Sequence, residues 1–256
     1  MTILQSLISG ILQGITEFFP ISSTGHLVLL HHYFGFKGSQ IFFDIVLHLA
    51  TGLAVLVYFW KDVKSLFTTD RNLGVLVLVG SVPTLILGFL LADFVDKFFV
   101  DVKWVGIALI VTGFWLLAAN IINKRIMHNK HIKQKGIILY TWKAIVIGTA
   151  QGIALIPGIS RSGATIATGL LVGLGSNLAF RFSFLLLLPA TIGAAIFKLK
   201  DAATPIPPVS SMLVGGIAAF FVGILALHLL SKILKDGKIY IFGFYCLAMG
   251  LLVVLL

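Results

Sequence analysis

Residues 10–25 read GILQGITEFFPISSTG, and residues 148–163 read GTAQGIALIPGISRSG. Laid on one another at an offset of 138 residues, they match Gly10 with Gly148, Gln13 with Gln151, Gly14 with Gly152, Ile15 with Ile153, Ile21 with Ile159, Ser22 with Ser160 and Gly25 with Gly163. Further on, Ala50-Thr51 matches Ala190-Thr191. Matched Gln and Ser at equal spacing mark a duplication rather than the chance likeness of two apolar segments. Each copy is a polar break in a long apolar block. One carries a carboxylate, Glu17, and the other a guanidinium, Arg161.

The blocks around them set the class of protein. Of 256 residues, 59% are apolar and only 11% charged, which lies outside the soluble range and indicates an integral membrane protein with one compact domain, 1–256. Stretches at roughly 41–60, 73–93, 104–122, 178–197, 209–230 and 239–256 are long and clean enough to span a bilayer. Regions 3–34 and 144–176 are interrupted by Pro, Gly and polar residues and are expected to form broken or re-entrant hairpins. The first 20 residues have no charged n-region and hold Glu17, so a signal peptide is not expected.

A net charge of +10 suggests nucleic acid in a soluble protein, but here the Lys and Arg lie in short loops beside apolar spans. No nucleic-acid partner is expected. The loop at about 123–143, with Lys124, Arg125, Lys130, Lys133, Lys135 and Lys143 and no acid, is expected to be cytoplasmic. Counting from it makes the loop with Lys61, Lys64 and Arg71 and the loop with Lys232, Lys235 and Lys238 cytoplasmic. The Asp93, Asp96, Asp101 loop and the Pro-rich 201–208 loop come out external. Arg181 is expected to snorkel to the cytoplasmic face. Repeat one, about 1–122, and repeat two, about 144–256, each read as one broken hairpin followed by three transmembrane helices. Three is odd, so the second copy enters from the opposite side. The predicted fold is an all-α integral membrane protein with an inverted-topology repeat, its breaks meeting near the midplane.

Gln13 and Glu17 share a helix face, and Pro20 ends that helix at Phe19. Ser22, Ser23 or Thr24 can cap a new helix, leaving the N–H groups of Thr24, Gly25 and His26 free. In the second copy Pro157 and Gly158 break the chain, Ser160 or Ser162 can cap, and Arg161 stands among free N–H groups. Two helix N-termini and a guanidinium suit phosphate. Glu17 in such a place suits a metal or a general base, because an unbridged anion would repel phosphate. Ser23, three residues before His26, has the look of a nucleophile with a neighbouring base. Asp44 and His48 read as an interfacial i, i+4 pair, and His31, His32 and His228 as polar contacts near helix ends. No Walker loop or HExxH occurs, and the single Cys246 excludes a thiolate cluster.

QGITEFFPISSTGHL from Gln13, PGISRSGATI from Pro157 and FSFLLLLPATIGA from Phe182 resemble the signature segments of the undecaprenyl-diphosphate phosphatase, or bacitracin-resistance, family over essentially the whole chain. The resemblance implies a multi-pass hydrolase of the bacterial inner membrane with its site facing the external side. Its reaction removes the terminal phosphate of undecaprenyl diphosphate, a polyprenyl diphosphate lipid, and regenerates the carrier for peptidoglycan. It implies a divalent cation, Mg or Ca, with Glu17 as the main acidic ligand, since Gln13 stands where many relatives have Glu. The same resemblance makes Glu17, Ser23, His26 and Arg161 the catalytic set. Gln13, Ser22, Thr24, Gly25, Gly158, Ser160, Ser162, Gly163 and Thr165 are the expected substrate contacts. The nucleophile is left open among Ser23, His26 and water, and a homodimer is allowed for. A lipid-phosphate transporter or flippase is the rival from another class, because broken helices in inverted repeats suit carriers.

Overall fold

A computed structural model of the chain describes residues 1–36, 40–98, 102–128, 137–198 and 207–255. The described residues form α-helices joined by turns, with no strand among them. In chain order these are α1 (Ile3–Phe18), α2 (Ser23–Tyr33), α3 (Ile41–Tyr58), α4 (Trp60–Phe67), α5 (Arg71–Phe98), α6 (Val102–His128), α7 (Ile137–Ile153), α8 (Arg161–Leu171), α9 (Ser176–Lys198), α10 (Val209–Lys235) and α11 (Tyr240–Leu255). Five of them, α3, α5, α6, α9 and α10, are long and apolar enough to cross a bilayer, so the chain is a multi-pass membrane protein. Their outer faces leave large apolar side chains such as Leu78, Phe89, Phe114 and Phe221 bare, as a lipid-facing surface does.

The sixth expected span is shorter than the rest. α11 has 16 residues, about 24 Å of helix against about 30 Å of hydrocarbon. Its packing compensates, because it lies along α6 over its length. Other helices overrun the apolar stretches: α5 continues to Phe98, α6 to His128, and α7 begins at Ile137. The basic connection expected at 123–143 is therefore helical at both ends, and at the α6 end Lys124 and Arg125 are good helix formers. Lys130, Lys133, Lys135, Asp101 and residues 201–206 lie outside the described residues, as do the side chains of Asp93 and Asp96. The loop expected at Lys61 and Lys64 is instead the short helix α4. Arg181 does not snorkel alone: its guanidinium is 2.5 Å from Asp62 and 3.2 Å from Asp70, tying α9 to α4 and to the turn before α5.

Both interrupted regions are helical hairpins. α1 ends at Phe18, with Phe19 extended before Pro20, because a residue preceding proline is pushed out of the helical region. α7 ends at Ile153 and the chain turns through Pro157 before α8 starts at Arg161. Close backbone contacts then repeat between the halves. A Cβ on Gly10 of α1 would overlap the Gly215 carbonyl oxygen of α10, and one on Gly148 of α7 would overlap the Gly80 carbonyl oxygen of α5. The first pair joins α1 to α10, and the second joins α7 to α5. The final helices of the halves also meet through glycine, Gly106 beside Gly250 and Gly113 beside Gly243, so α6 and α11 run antiparallel. Small residues let membrane helices approach this closely, where van der Waals packing replaces a hydrophobic drive.

Behind the first break lies an aromatic cluster. Phe18, Phe59, Phe180 and Phe184 are all buried, and Phe184 meets Phe18 at 5.6 Å and Phe180 at 5.0 Å between ring centroids. These edge-to-face contacts seat the start of α9 against the end of α1.

Candidate active site

Each hairpin break ends in a capped helix. Ser22 caps α2, its Oγ accepting from the Gly25 N–H at 3.3 Å, and Ser160 caps α8, its Oγ accepting from the Gly163 N–H at 3.0 Å. These serines are matched at the 138-residue offset, and both cap through the same side-chain bond. In α2 the Gly25 N–H goes to the Ser22 hydroxyl and the His26 N–H to the Ser22 carbonyl. The N–H groups left without an intrahelical acceptor are thus those of Ser23 and Thr24, one position earlier than the sequence suggested. Gly158 adopts φ 93°, where a side chain would be strained, and a Cβ there would lie 2.6 Å from the Val105 carbonyl oxygen.

The two breaks touch. A Cβ on Gly25 would lie 3.5 Å from the Gly158 Cα, and the Ser162 hydroxyl of the second break donates to the Phe19 carbonyl of the first at 3.3 Å. α6 braces the junction: Thr112 Oγ1 accepts from the Ser160 N–H at 3.1 Å.

Glu17 is the hub. Arg161 Nη2 donates to its Oε1 at 2.5 Å, while the Ser23 hydroxyl donates to its Oε2 at 2.6 Å and the Gln13 amide to the same oxygen at 3.0 Å. His48 Nε2 stands 3.7 Å from Oε2. The Glu17 side chain is only 8% exposed and that of Arg161 18%, so this ion pair is held largely away from water and each charge depends on the other. Two polar atoms at the hub have no hydrogen-bond partner although they are buried: Arg161 Nη1, a donor, and Gln13 Oε1, an acceptor. A carboxylate can only accept, so the Gln13 amide must turn its nitrogen to Glu17 and its oxygen away. The site therefore presents one unmatched cationic donor and one unmatched oxygen ligand.

Of the residues singled out in the sequence, Gln13, Glu17, Ser23 and Arg161 come together directly. Ser160, Ser162 and Thr165 have their hydroxyls engaged within the protein. Ser160 caps α8, Ser162 braces Phe19, and Thr165 donates to the Arg161 carbonyl at 2.9 Å and meets Ser183 at 2.5 Å. His26 lies apart from Ser23's hydrogen bond. Its Nδ1 meets the Ser22 carbonyl at 2.8 Å and its Nε2 the Tyr245 hydroxyl at 2.7 Å. His48 Nδ1 donates to the Asp44 backbone carbonyl at 2.7 Å, and the Asp44 carboxylate stands 3.8 Å from His31. Tyr245, His48 and Thr112 escaped the sequence reading of the site: Tyr245 and Thr112 have no partner visible at helical spacing, and the i, i+4 spacing pairs His48 with Asp44 rather than with Glu17.

This carboxylate and guanidinium, brought from matched breaks, lie within the region that the family model described as "Bacitracin resistance protein BacA" matches, residues 6–252. The chain belongs to the BacA family. Curated relatives cover nearly the whole molecule. One from Halothermothrix orenii is 41% identical over 100% of this chain and 98% of its own length. Another from Desulforapulum autotrophicum is 39% identical over 98% and 97%, and one from Methanosphaera stadtmanae 37% identical over 100% and 98%. All three bear the name undecaprenyl-diphosphatase. The BacA match takes in both breaks and all four residues of the hub.

Proposed function

We propose that the chain hydrolyses undecaprenyl diphosphate to undecaprenyl phosphate and inorganic phosphate. It would thereby recycle the carrier lipid of peptidoglycan synthesis and confer bacitracin resistance. The carrying observation is the Glu17 hub: a serine hydroxyl hydrogen-bonded to a carboxylate at 2.6 Å, beside a guanidinium with one nitrogen unpartnered. Glycine pairs that interchange with the halves, and final helices that pack antiparallel, support an inverted-topology repeat, with repeat one at about 1–122 and repeat two at about 144–256. In this reading the protein sits in the bacterial inner membrane with the diphosphate site opening to the external side and the polyprenyl tail between helices.

The chemistry follows from the geometry. Arg161 Nη1 and the N–H groups of Ser23 and Thr24 hold the terminal phosphoryl oxygens. They stabilise the charge that spreads over those oxygens during transfer. Ser23 Oγ attacks the terminal phosphorus as its proton passes to Glu17 Oε2, and the bond to the bridging oxygen breaks, releasing the lipid monophosphate. Water then attacks the phosphoserine phosphorus, Ser23 Oγ leaves and recovers a proton, and inorganic phosphate departs. Direct attack on the terminal phosphorus by a water that gives its proton to Glu17 would yield the same products without a phosphoserine.

Among the described residues no three His, Cys, Asp or Glu side chains cluster as a metal cage. A magnesium or calcium ion nevertheless fits the donors present, because hard cations take oxygen ligands and Mg often binds one carboxylate plus substrate phosphate. Glu17 and the unpaired Gln13 Oε1 would hold it. When bound, it would neutralise charge on the diphosphate.

Colourimetric phosphate release from undecaprenyl diphosphate by purified protein in detergent tests the reading, and no release by a monodisperse sample overturns it. The second reading, a lipid-phosphate carrier, draws on the broken helices in exchangeable halves. Translocation of labelled polyprenyl phosphate in vesicles without phosphate release would favour it.

A further inference from the structure

Ser22 is the only non-glycine residue with positive φ among the described residues, at φ 69° and ψ 97°. Such a conformation is strained for a residue that carries a side chain and persists only where its surroundings over-determine it. Its counterpart in the other half, Ser160, caps its helix at an ordinary φ −71° and ψ 119°. Both serines cap through the same Oγ bond, so capping does not explain the difference. The residue four further on does differ: it is His26 in the first half and Ala164 in the second. His26 Nδ1 makes a 2.8 Å hydrogen bond to the Ser22 carbonyl, and alanine has nothing to offer there. The strained serine occurs in the half that has the imidazole.

A backbone carbonyl can only accept, so Nδ1 must carry the hydrogen. In the neutral ring Nε2 is then the acceptor and takes the Tyr245 hydroxyl's hydrogen at 2.7 Å. The two rings also lie nearly parallel, 14° apart at 5.8 Å. Tyr245 comes from α11, in the opposite half. Its neighbour Cys246 donates to the Pro20 carbonyl at 3.4 Å, so α11 holds the first break on both sides of Ser22.

We propose that His26 and Tyr245 are positioning residues: Tyr245 fixes the His26 ring so that its Nδ1–H clamps the Ser22 carbonyl, and the clamp holds the strained turn that aims Ser23 Oγ at Glu17. The proposal rests on the reading of Ser23 and Glu17 as the reacting pair. It removes His26 from proton transfer, the role its place in SSTGH suggests.

Side-chain geometry provides the test. Asparagine keeps an N–H where His26 has Nδ1, glutamine keeps one only where it has Nε2, and neither exchanges protons as imidazole does. His26→Asn retains kcat within about three-fold of wild type, whereas His26→Gln and His26→Ala lose about a hundred-fold, the scale of a reacting atom misplaced by about 1 Å. Tyr245→Phe lowers kcat about ten-fold with KM within about two-fold, because the loss falls on alignment rather than on lipid binding. An Asn variant as inactive as the Ala variant overturns the positioning role of His26, and an unchanged kcat in Tyr245→Phe overturns that of Tyr245. Nitrogen-15 imidazole spectra of the wild type in micelles, with His26 assigned by difference against a folded His26→Gln, give a readout independent of turnover. A hydrogen on Nδ1 is expected, and one on Nε2 with Nδ1 bare overturns the clamp. Absence of phosphate release by the wild type would defeat the proposed function instead, and the spectra would still decide the clamp.

Discussion

Replacing Arg161 by lysine keeps the charge and removes the fork. In the native site Nη2 lies 2.5 Å from Glu17 Oε1 while Nη1 has no protein partner, so one planar group can hold the carboxylate and a phosphoryl oxygen together. A lysine ammonium is a compact point charge on a flexible stem and cannot reproduce two fixed donor directions. If it stays on Glu17, the transferring phosphoryl group loses its guanidinium donor; if it turns to phosphate, Glu17 loses its partner. Removing one preorganised donor from a developing oxyanion costs about 3 kcal/mol, and about 1.4 kcal/mol corresponds to a factor of ten. Arg161→Lys should therefore lower kcat/KM for undecaprenyl diphosphate by about a hundred-fold, while the retained charge keeps the protein monodisperse in detergent. The assay is steady-state phosphate release against lipid concentration. A folded lysine variant within about three-fold of wild type would refute the two-directional role of the guanidinium.

Chelation of divalent cations should abolish phosphate release, and added magnesium or calcium should restore it. Gln13→Glu adds a carboxylate at the unpaired oxygen ligand and should lower the half-saturating cation concentration about ten-fold, measured by cation titration of activity, because ligand charge count tunes affinity. Gly148→Leu places a side chain against the Gly80 carbonyl oxygen, and such overpacking costs about 1–3 kcal/mol or more. Its expected outcome is a lowered midpoint in thermal size-exclusion chromatography, or loss of the monodisperse peak. Arg181→Gln severs the contacts with Asp62 and Asp70 at a cost of about 1 kcal/mol at such a half-exposed site, with kcat unchanged in the phosphate assay.

The parts of this architecture that showed in the sequence are those that violate the rules of an apolar helix. Pro20, Pro157 and Gly158 cannot continue one, and Ser22 and Ser160 are cap formers at matched positions, so both hairpins and their capped second helices could be read directly. The two matched stretches also place Glu17 in one break and Arg161 in the other. At the shared offset Glu17 corresponds to Leu155 and Ser23 to Arg161, so the repeat holds one composite hub rather than two equal ones. What did not show were the groups supplied by ordinary spans. Tyr245, Thr112 and His48 belong to α11, α6 and α3, outside both breaks, and their roles depend on which helix packs where. Ser162 and Thr165 look like phosphate donors in a line of sequence, yet packing against Phe19 and Ser183 gives their hydroxyls other partners. The ends of α5, α6 and α7 also ran past the apolar stretches, because helical hydrogen bonding does not stop where the lipid does.

In the proposed function Glu17 and Arg161, one from each break, form a single reacting site. A double-mutant cycle on Glu17→Gln and Arg161→Gln, read as kcat/KM for phosphate release from undecaprenyl diphosphate, tests it most directly. Each single variant is expected to lose about a hundred-fold or more, and the double variant to be no worse than the poorer single one. Losses that multiply, as for two independent sites, would contradict it.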